Sequence, residues 1–170
     1  MRWRSTLRVM VTVVVIVASA GCAPMRDDRV DMMDSDVVGV WTSTHDRSLT
    51  FHADGRFVAV GLPHQLLEGF RDVVPPGFDP NRDSLNGSGQ WLLEADRSDP
   101  DGPRNYVHLT LRQLSGSQVA VGLNLRAEWQ AGEIVLVFYL GDPDLNRQIV
   151  YEKCPQPCAV ASTAPTTGPS

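Results

Sequence analysis

Leu49-Thr50-Phe51-His52-Ala53-Asp54-Gly55-Arg56-Phe57-Val58-Ala59-Val60 reads as two strands and the turn that joins them. Apolar and polar residues alternate on both sides of Ala53-Asp54-Gly55, the period of a half-buried strand. Two turns are open. A two-residue type I′ turn would place Asp54 and Gly55 at its centre, and a three-residue turn would put Gly55 in the left-handed region. The second sets Leu49, Phe51, Phe57 and Ala59 on one face and brings the two phenylalanines side by side. A cross-strand aromatic pair contributes roughly 0.2–1 kcal/mol, so the three-residue turn is expected.

The same pattern recurs in both directions. Upstream, Val37-Val38-Gly39-Val40-Trp41-Thr42 makes a first strand. Downstream, Gly89 to Leu93 places Trp91 and Leu93 together, and Tyr106 to Arg112 turns Val107, Leu109 and Leu111 inward. Val119 to Leu125 alternates as well, Glu133 to Leu140 is apolar on both faces, and Gln148 to Lys153 comes last. Eight strands with short connections indicate an all-β sandwich or barrel. Closure is favoured because it leaves no exposed strand edge. The fold expected is an eight-stranded antiparallel up-and-down barrel with a long segment, Gly61 to Ser88, between strands 3 and 4. Within that segment His64 to Phe70 reads as one short helix, with Leu66, Leu67 and Phe70 on a shared face. Pro75, Pro76 and Pro80 block regular structure after it. Its apolar side chains mark it as a lid over a cavity or as a surface loop packed on the barrel.

The ends of the chain read differently. Arg2, Arg4 and Arg8 precede the apolar run Val9 to Ala18, and Ser19-Ala20-Gly21-Cys22 follows. Ten residues, apolar apart from Thr12, are too few to span roughly 30 Å of hydrocarbon as a helix, so residues 1–21 read as a cleavable signal peptide. The run resembles a bacterial lipoprotein signal, which implies a lipid on Cys22, membrane anchoring and an extracytoplasmic location. The alternative is a secretory signal cleaved near Ala20 or Gly21. Residues 22–36 read as a flexible tether, 37–153 as the barrel domain, and 154–170 as a disulfide loop followed by a disordered tail rich in Ser, Thr and Pro. Cys154 and Cys158, in an oxidising setting, are expected to pair as a structural disulfide. Removing 21 of 170 residues leaves 149, enough for one domain. Losing Arg2, Arg4 and Arg8 leaves 12 basic against 20 acidic residues, about −8 in all. That balance opposes binding to nucleic acid or to anionic headgroups.

Candidate chemistry is sparse. His52 and His108 fall on polar strand faces, His45 sits in a hairpin loop and His64 opens the helix; no two have metal-ligand spacing. Asp99-Pro100-Asp101-Gly102 has Arg97 and His108 where a calcium loop needs carboxylates, so a plain turn is expected. Gly87-Ser88-Gly89 precedes a strand, not a helix, and lacks the geometry that exposes a nucleophile. Neither catalytic residues nor metal nor cofactor is expected. Trp41, Trp91 and Trp129 either line a cavity or fill the core, with core expected for Trp41 and Trp91.

Gly39-Val40-Trp41, extended through Leu49-Thr50-Phe51 to Asp54-Gly55-Arg56-Phe57, resembles the opening strands of the lipocalin and avidin β-barrels. In those families Gly-x-Trp closes one end of the barrel. Lipocalins pack an Arg of the last strand over that Trp, where this chain offers only Lys153. The whole is also similar to small secreted lipoproteins of GC-rich Gram-positive bacteria, in keeping with 14 Arg against the single Lys153. The resemblance implies a lipocalin-like barrel acting as a non-catalytic binding module, with a small apolar ligand in the mouth beneath residues 61–88. The competing expectations are an envelope protein-interaction or inhibitor module on a solid core, and an enzyme of unrecognised type.

Overall fold

The computed structural model describes residues 30–70, 73–80, 82–145, 147–155 and Cys158. The segment read from sequence as a signal peptide, Cys22 and the tail beyond Cys158 lie outside the described residues. Eight strands run β1 Gly39–Ser43, β2 Arg47–Phe51, β3 Arg56–Leu62, β4 Leu85–Ala95, β5 Arg104–Leu114, β6 Ser117–Gln130, β7 Glu133–Tyr139 and β8 Gln148–Lys153. Each pairs antiparallel with its neighbours in sequence, and β8 pairs with β1 to close the barrel.

The β2–β3 turn takes the three-residue form. The His52 N–H donates to the Arg56 carbonyl at 2.9 Å, and Gly55 adopts φ +80°, where a Cβ would be strained. Phe51 then stands opposite Phe57 with ring centroids 6.3 Å apart, and Leu49, Phe51, Phe57 and Ala59 are all buried. Trp91 adds its edge to Phe51 at 5.7 Å, and its indole N–H donates to the His52 carbonyl. One sequence-local turn thus seeds the aromatic part of the lumen.

β4, β5 and β6 are longer than the alternation alone indicates: their added ends mix glycine and polar residues with the buried Leu85, Asn105, Leu114 and Ala127, which breaks the clean period of two. β4 begins at Leu85, so Gly87-Ser88-Gly89 lies within a strand and not ahead of one. Gly89 sits at a register shift where Arg112 of β5 bulges. A Cβ on Gly89 would overlap the Thr110 carbonyl oxygen and come within 3.1 Å of the Arg112 nitrogen. The glycine is what allows two backbones to approach that closely.

Both ends of the barrel are stoppered. At the near end, where the chain comes in, residues 30–38 cross the opening. The tether expected over 22–36 is therefore shorter at its C-terminal side than the sequence indicates: Val30, Met32 and Val37 belong to the core. The Met32 N–H donates to the Arg104 carbonyl at 2.9 Å, and Arg104 Nη2 bridges Asp34 and the Leu93 carbonyl. A four-residue helix, α1 Asp34–Val37, leads into β1. Apolar Val30 and Met32 are isolated among Asp27, Asp28, Asp31 and Asp34, so no periodicity announces their burial. At the far end the segment after β3 packs inward. His64–Leu67 forms a 3₁₀ turn instead of a full helix, since four residues before Gly69 give too few i→i+4 bonds. Leu67 is fully buried, Leu66, Val73, Val74 and Phe78 pack against the core, and Phe70 is turned to solvent.

β7 is apolar on both faces because both are covered. Leu136 and Phe138 point into the lumen, whereas Val135 and Val137 are buried on the outside beneath the flanking side chains of Glu128 and Arg126. Cys154 and Cys158 stand at disulfide distance just after β8, with Cα atoms 5.8 Å apart. The Cys154 N–H extends the β1–β8 ladder by donating to the Val40 carbonyl at 2.8 Å.

Candidate functional site

The Gly39-Val40-Trp41 stretch closes the near end of the barrel. Trp41 is fully buried, and its indole N–H donates to the Val37 carbonyl at 2.8 Å, which ties α1 to the first strand. Lys153, opposite Trp41 in register, lays its ammonium 5.6 Å from the ring centroid and donates to the Asp36 carbonyl at 2.6 Å. The last strand thus does place a cation over this tryptophan, as a lysine. The contact joins first strand, last strand and N-terminal stopper in one place.

The lumen is occupied by side chains. Trp41, Tyr151, Phe51, Phe57 and Phe138 are each essentially inaccessible, with Leu49, Leu109, Leu111 and Leu125 between them. A cavity of about 840 Å³ runs over the outer wall at His52, Val58, Gln90, Arg112 and Gln118. Another of about 290 Å³ sits under the β4–β5 loop.

One polar atom in the lumen is unmatched. The Tyr151 hydroxyl is buried with no hydrogen-bond partner, and burial pushes it up to about 12, with the Arg47 charge opposing weakly. An unpaired buried hydroxyl costs about 1–3 kcal/mol. Tyr151→Phe is therefore expected to stabilise the protein by about 1 kcal/mol in urea unfolding at pH 7. The sign of its pH effect follows from the raised value. The hydroxyl stays protonated in the fold up to about pH 12 but ionises near 10 when unfolded, so stability is constant below pH 10 and falls between 10 and 12. The Phe variant should lose part of that alkaline decline; a steeper decline than wild type would refute the assignment.

The sequence-derived candidates are dispersed. His45 is exposed in the β1–β2 hairpin, His52 is exposed, and His108 lies on the outer wall with Nδ1 2.7 Å from Asn124 Oδ1. His64 opens the 3₁₀ turn beside Glu68. Asp99 to Gly102 forms turns, with N–H donation from Asp99 to the Asp96 carbonyl and from Gly102 to the Asp99 carbonyl. Trp129 lies in β6 opposite Ile134 of β7 and is about half exposed. Among the described residues no three His, Cys, Asp or Glu side chains come together as a metal site.

A polar cluster does converge, and sequence reading misses it. Asp96, Tyr106, Arg126, Glu128 and Tyr139 come from the β4–β5 loop, β5, β6 and β7 onto one patch of outer wall. The Ser98 backbone N–H, then its hydroxyl and the Tyr106 hydroxyl, hold the Asp96 carboxyl below its usual range. Burial, then the bond to Asp96, raises Tyr106. Burial and the bond it donates to Glu128 Oε1 push Tyr139 up to about 12. Arg126 Nε is buried without a hydrogen bond, 3.6 Å from Glu128. Both tyrosines are thus neutral at physiological pH and donate to the carboxylates of Asp96 and Glu128. Its signal in sequence is the run of outward positions Tyr106, Arg126, Glu128 and Tyr139. Only register makes them neighbours. Tyr139→Phe is expected to leave the fold intact and to remove the bond to Glu128, read by NMR as a changed chemical shift of the Glu128 side-chain carboxyl carbon; an unchanged shift would overturn the bond.

Comparison with protein-family models, with curated proteins and with solved structures found no match.

Proposed function

We propose that this chain is a non-catalytic binding module on the extracytoplasmic face of a membrane, held by a lipid on Cys22, that engages an envelope protein through the outside of its barrel. The filled lumen carries this reading: a small apolar ligand would have to displace Leu67 and its neighbours from the far mouth and find room among buried aromatic rings. Surface recognition needs neither. The tether argues for orientation as well. With Val30 packed, only residues 23–29 separate Cys22 from the barrel, at most about 29 Å when fully extended. The near end would then face the lipid and the far end would point away.

Two measurements test the reading on the full chain in its native membrane. Cross-linking should join it stoichiometrically to one envelope protein, while a panel of labelled fatty acids and hydrophobic dyes should not bind. Saturable one-to-one dye binding that perturbs the lumenal tryptophans would overturn it in favour of a small-ligand carrier. For the anchor, Cys22→Ser should release the protein from membranes or block its processing, and unchanged localisation would sink lipidation.

A further inference from the structure

The barrel is closed unevenly. Seven of the strand pairs are in register over four residues or more, whereas β1 and β8 meet only at Trp41↔Lys153 and Thr42↔Glu152. The seam is zipped at the near end by the Cys154-to-Val40 bond. Towards the far end it parts. β8 continues through Gln148–Val150, still paired with β7, but β1 ends at Ser43 and turns into β2 through His45 and Asp46, both at positive φ. Among the described residues no strand faces β8 there. A cleft of about 540 Å³ opens instead, with Ser43, Thr44 and Arg47 on one wall and Ile149, Val150 and Glu152 on the other.

A β-strand edge presents backbone donors and acceptors to any extended chain that fits beside it. Here the missing strand is the continuation of β1, and about three residues at ~3.3 Å each would restore the ladder opposite Gln148–Val150. The walls carry one charge of each sign: among the described residues neither Arg47 nor Glu152 has an ion-pair partner. Ile149, a core residue, gives the floor an apolar contact.

We propose that the far half of the β1–β8 seam is a recognition slot for an extended peptide segment of the partner protein. The segment would run antiparallel to β8 along Gln148–Val150, with an acidic side chain to Arg47 and a basic one to Glu152. This rests on the protein-interaction reading and assigns it a place. The slot lies at the end that the Cys22 tether leaves pointing away from the membrane.

The test uses the full chain in detergent and a blocked, fluorescently labelled pentapeptide of alternating valine and threonine carrying one glutamate and one lysine. Anisotropy should give a Kd on the order of 10–100 µM. N-methylation of alternate amides, which removes donors and leaves side chains unchanged, should weaken binding at least about tenfold. Thr44 is exposed, so Thr44→Trp should fill the slot and abolish binding while leaving the melting temperature unchanged. No binding to wild type, or equal binding by the methylated peptide or the tryptophan variant, overturns the slot. So does self-association of wild type that Thr44→Trp removes, which would give the edge to a second copy. Cross-linking separates the two claims: a partner captured equally by wild type and Thr44→Trp leaves the interaction reading standing without the slot, and no partner for either removes the reading itself.

Discussion

Gly89→Ala is expected to destabilise the protein by more than about 4 kcal/mol, enough to unfold a domain whose whole stability is about 5–15 kcal/mol. The added methyl would run into the Thr110 carbonyl and the Arg112 nitrogen, both backbone atoms of β5. A clash with a side chain is relieved by a rotamer change; a clash with the neighbouring backbone is relieved only by parting the strands. β4 and β5 pair from Gly87↔Leu114 to Ala95↔Arg104, with register shifts at Ser88/Gly89 and Glu94/Ala95, so parting them at Gly89 disrupts a ladder of nine paired positions. Gly69→Ala is the control. A Cβ there meets nothing within 4 Å, and the change should stay within about 0.5 kcal/mol. Urea midpoints followed by circular dichroism decide it, and a Gly89→Ala midpoint matching that of Gly69→Ala would show that the bulge is softer than its geometry.

Trp41→Ala should cost about 3–5 kcal/mol, the range for emptying a large buried aromatic site. More than packing is lost. The Val37 carbonyl loses its indole donor, Lys153 loses the ring beneath its ammonium, and the stopper formed by residues 30–38 loses its tie to β1. The variant should therefore be cut by protease between residues 30 and 38 well before the barrel strands. Trp41→Phe keeps most of the volume without the N–H and should lose about 1–2 kcal/mol. A Trp41→Ala protein resistant to cleavage there would mean that the stopper holds independently of the tryptophan.

The residues of the Phe51–Phe57 hairpin announced their own pairing, because the turn and the alternation are local and the Asp54-Gly55 chemistry admits few geometries. The same holds for Val107, Leu109 and Leu111, the inward residues of β5. The polar cluster around Arg126 was not legible. Its members are separated by up to 43 residues between Asp96 and Tyr139, and each alone is an ordinary outward residue. Only the β5–β6 and β6–β7 registers, set by hairpins and a bulge, make them touch. Val30 and Met32 were hidden for a related reason: their burial depends on a barrel opening that does not exist until the strands close.

Taken alone, the sequence determined that this is an eight-stranded all-β chain, that Phe51, Phe57, Trp91 and Trp41 face inward, and that Cys154 and Cys158 are spaced to pair. Those are consequences of period-two alternation and turn chemistry, which act over a few residues. The tertiary structure decided that the lumen is filled, that residues 30–38 and the segment after β3 stopper its two ends, and that the β1–β8 seam closes over only part of its length. No local signal carries these outcomes, because each depends on how eight strands of unequal length share one circumference. β1 is five residues and β8 is six, and their offset around the barrel leaves one stretch of edge without a strand to meet it.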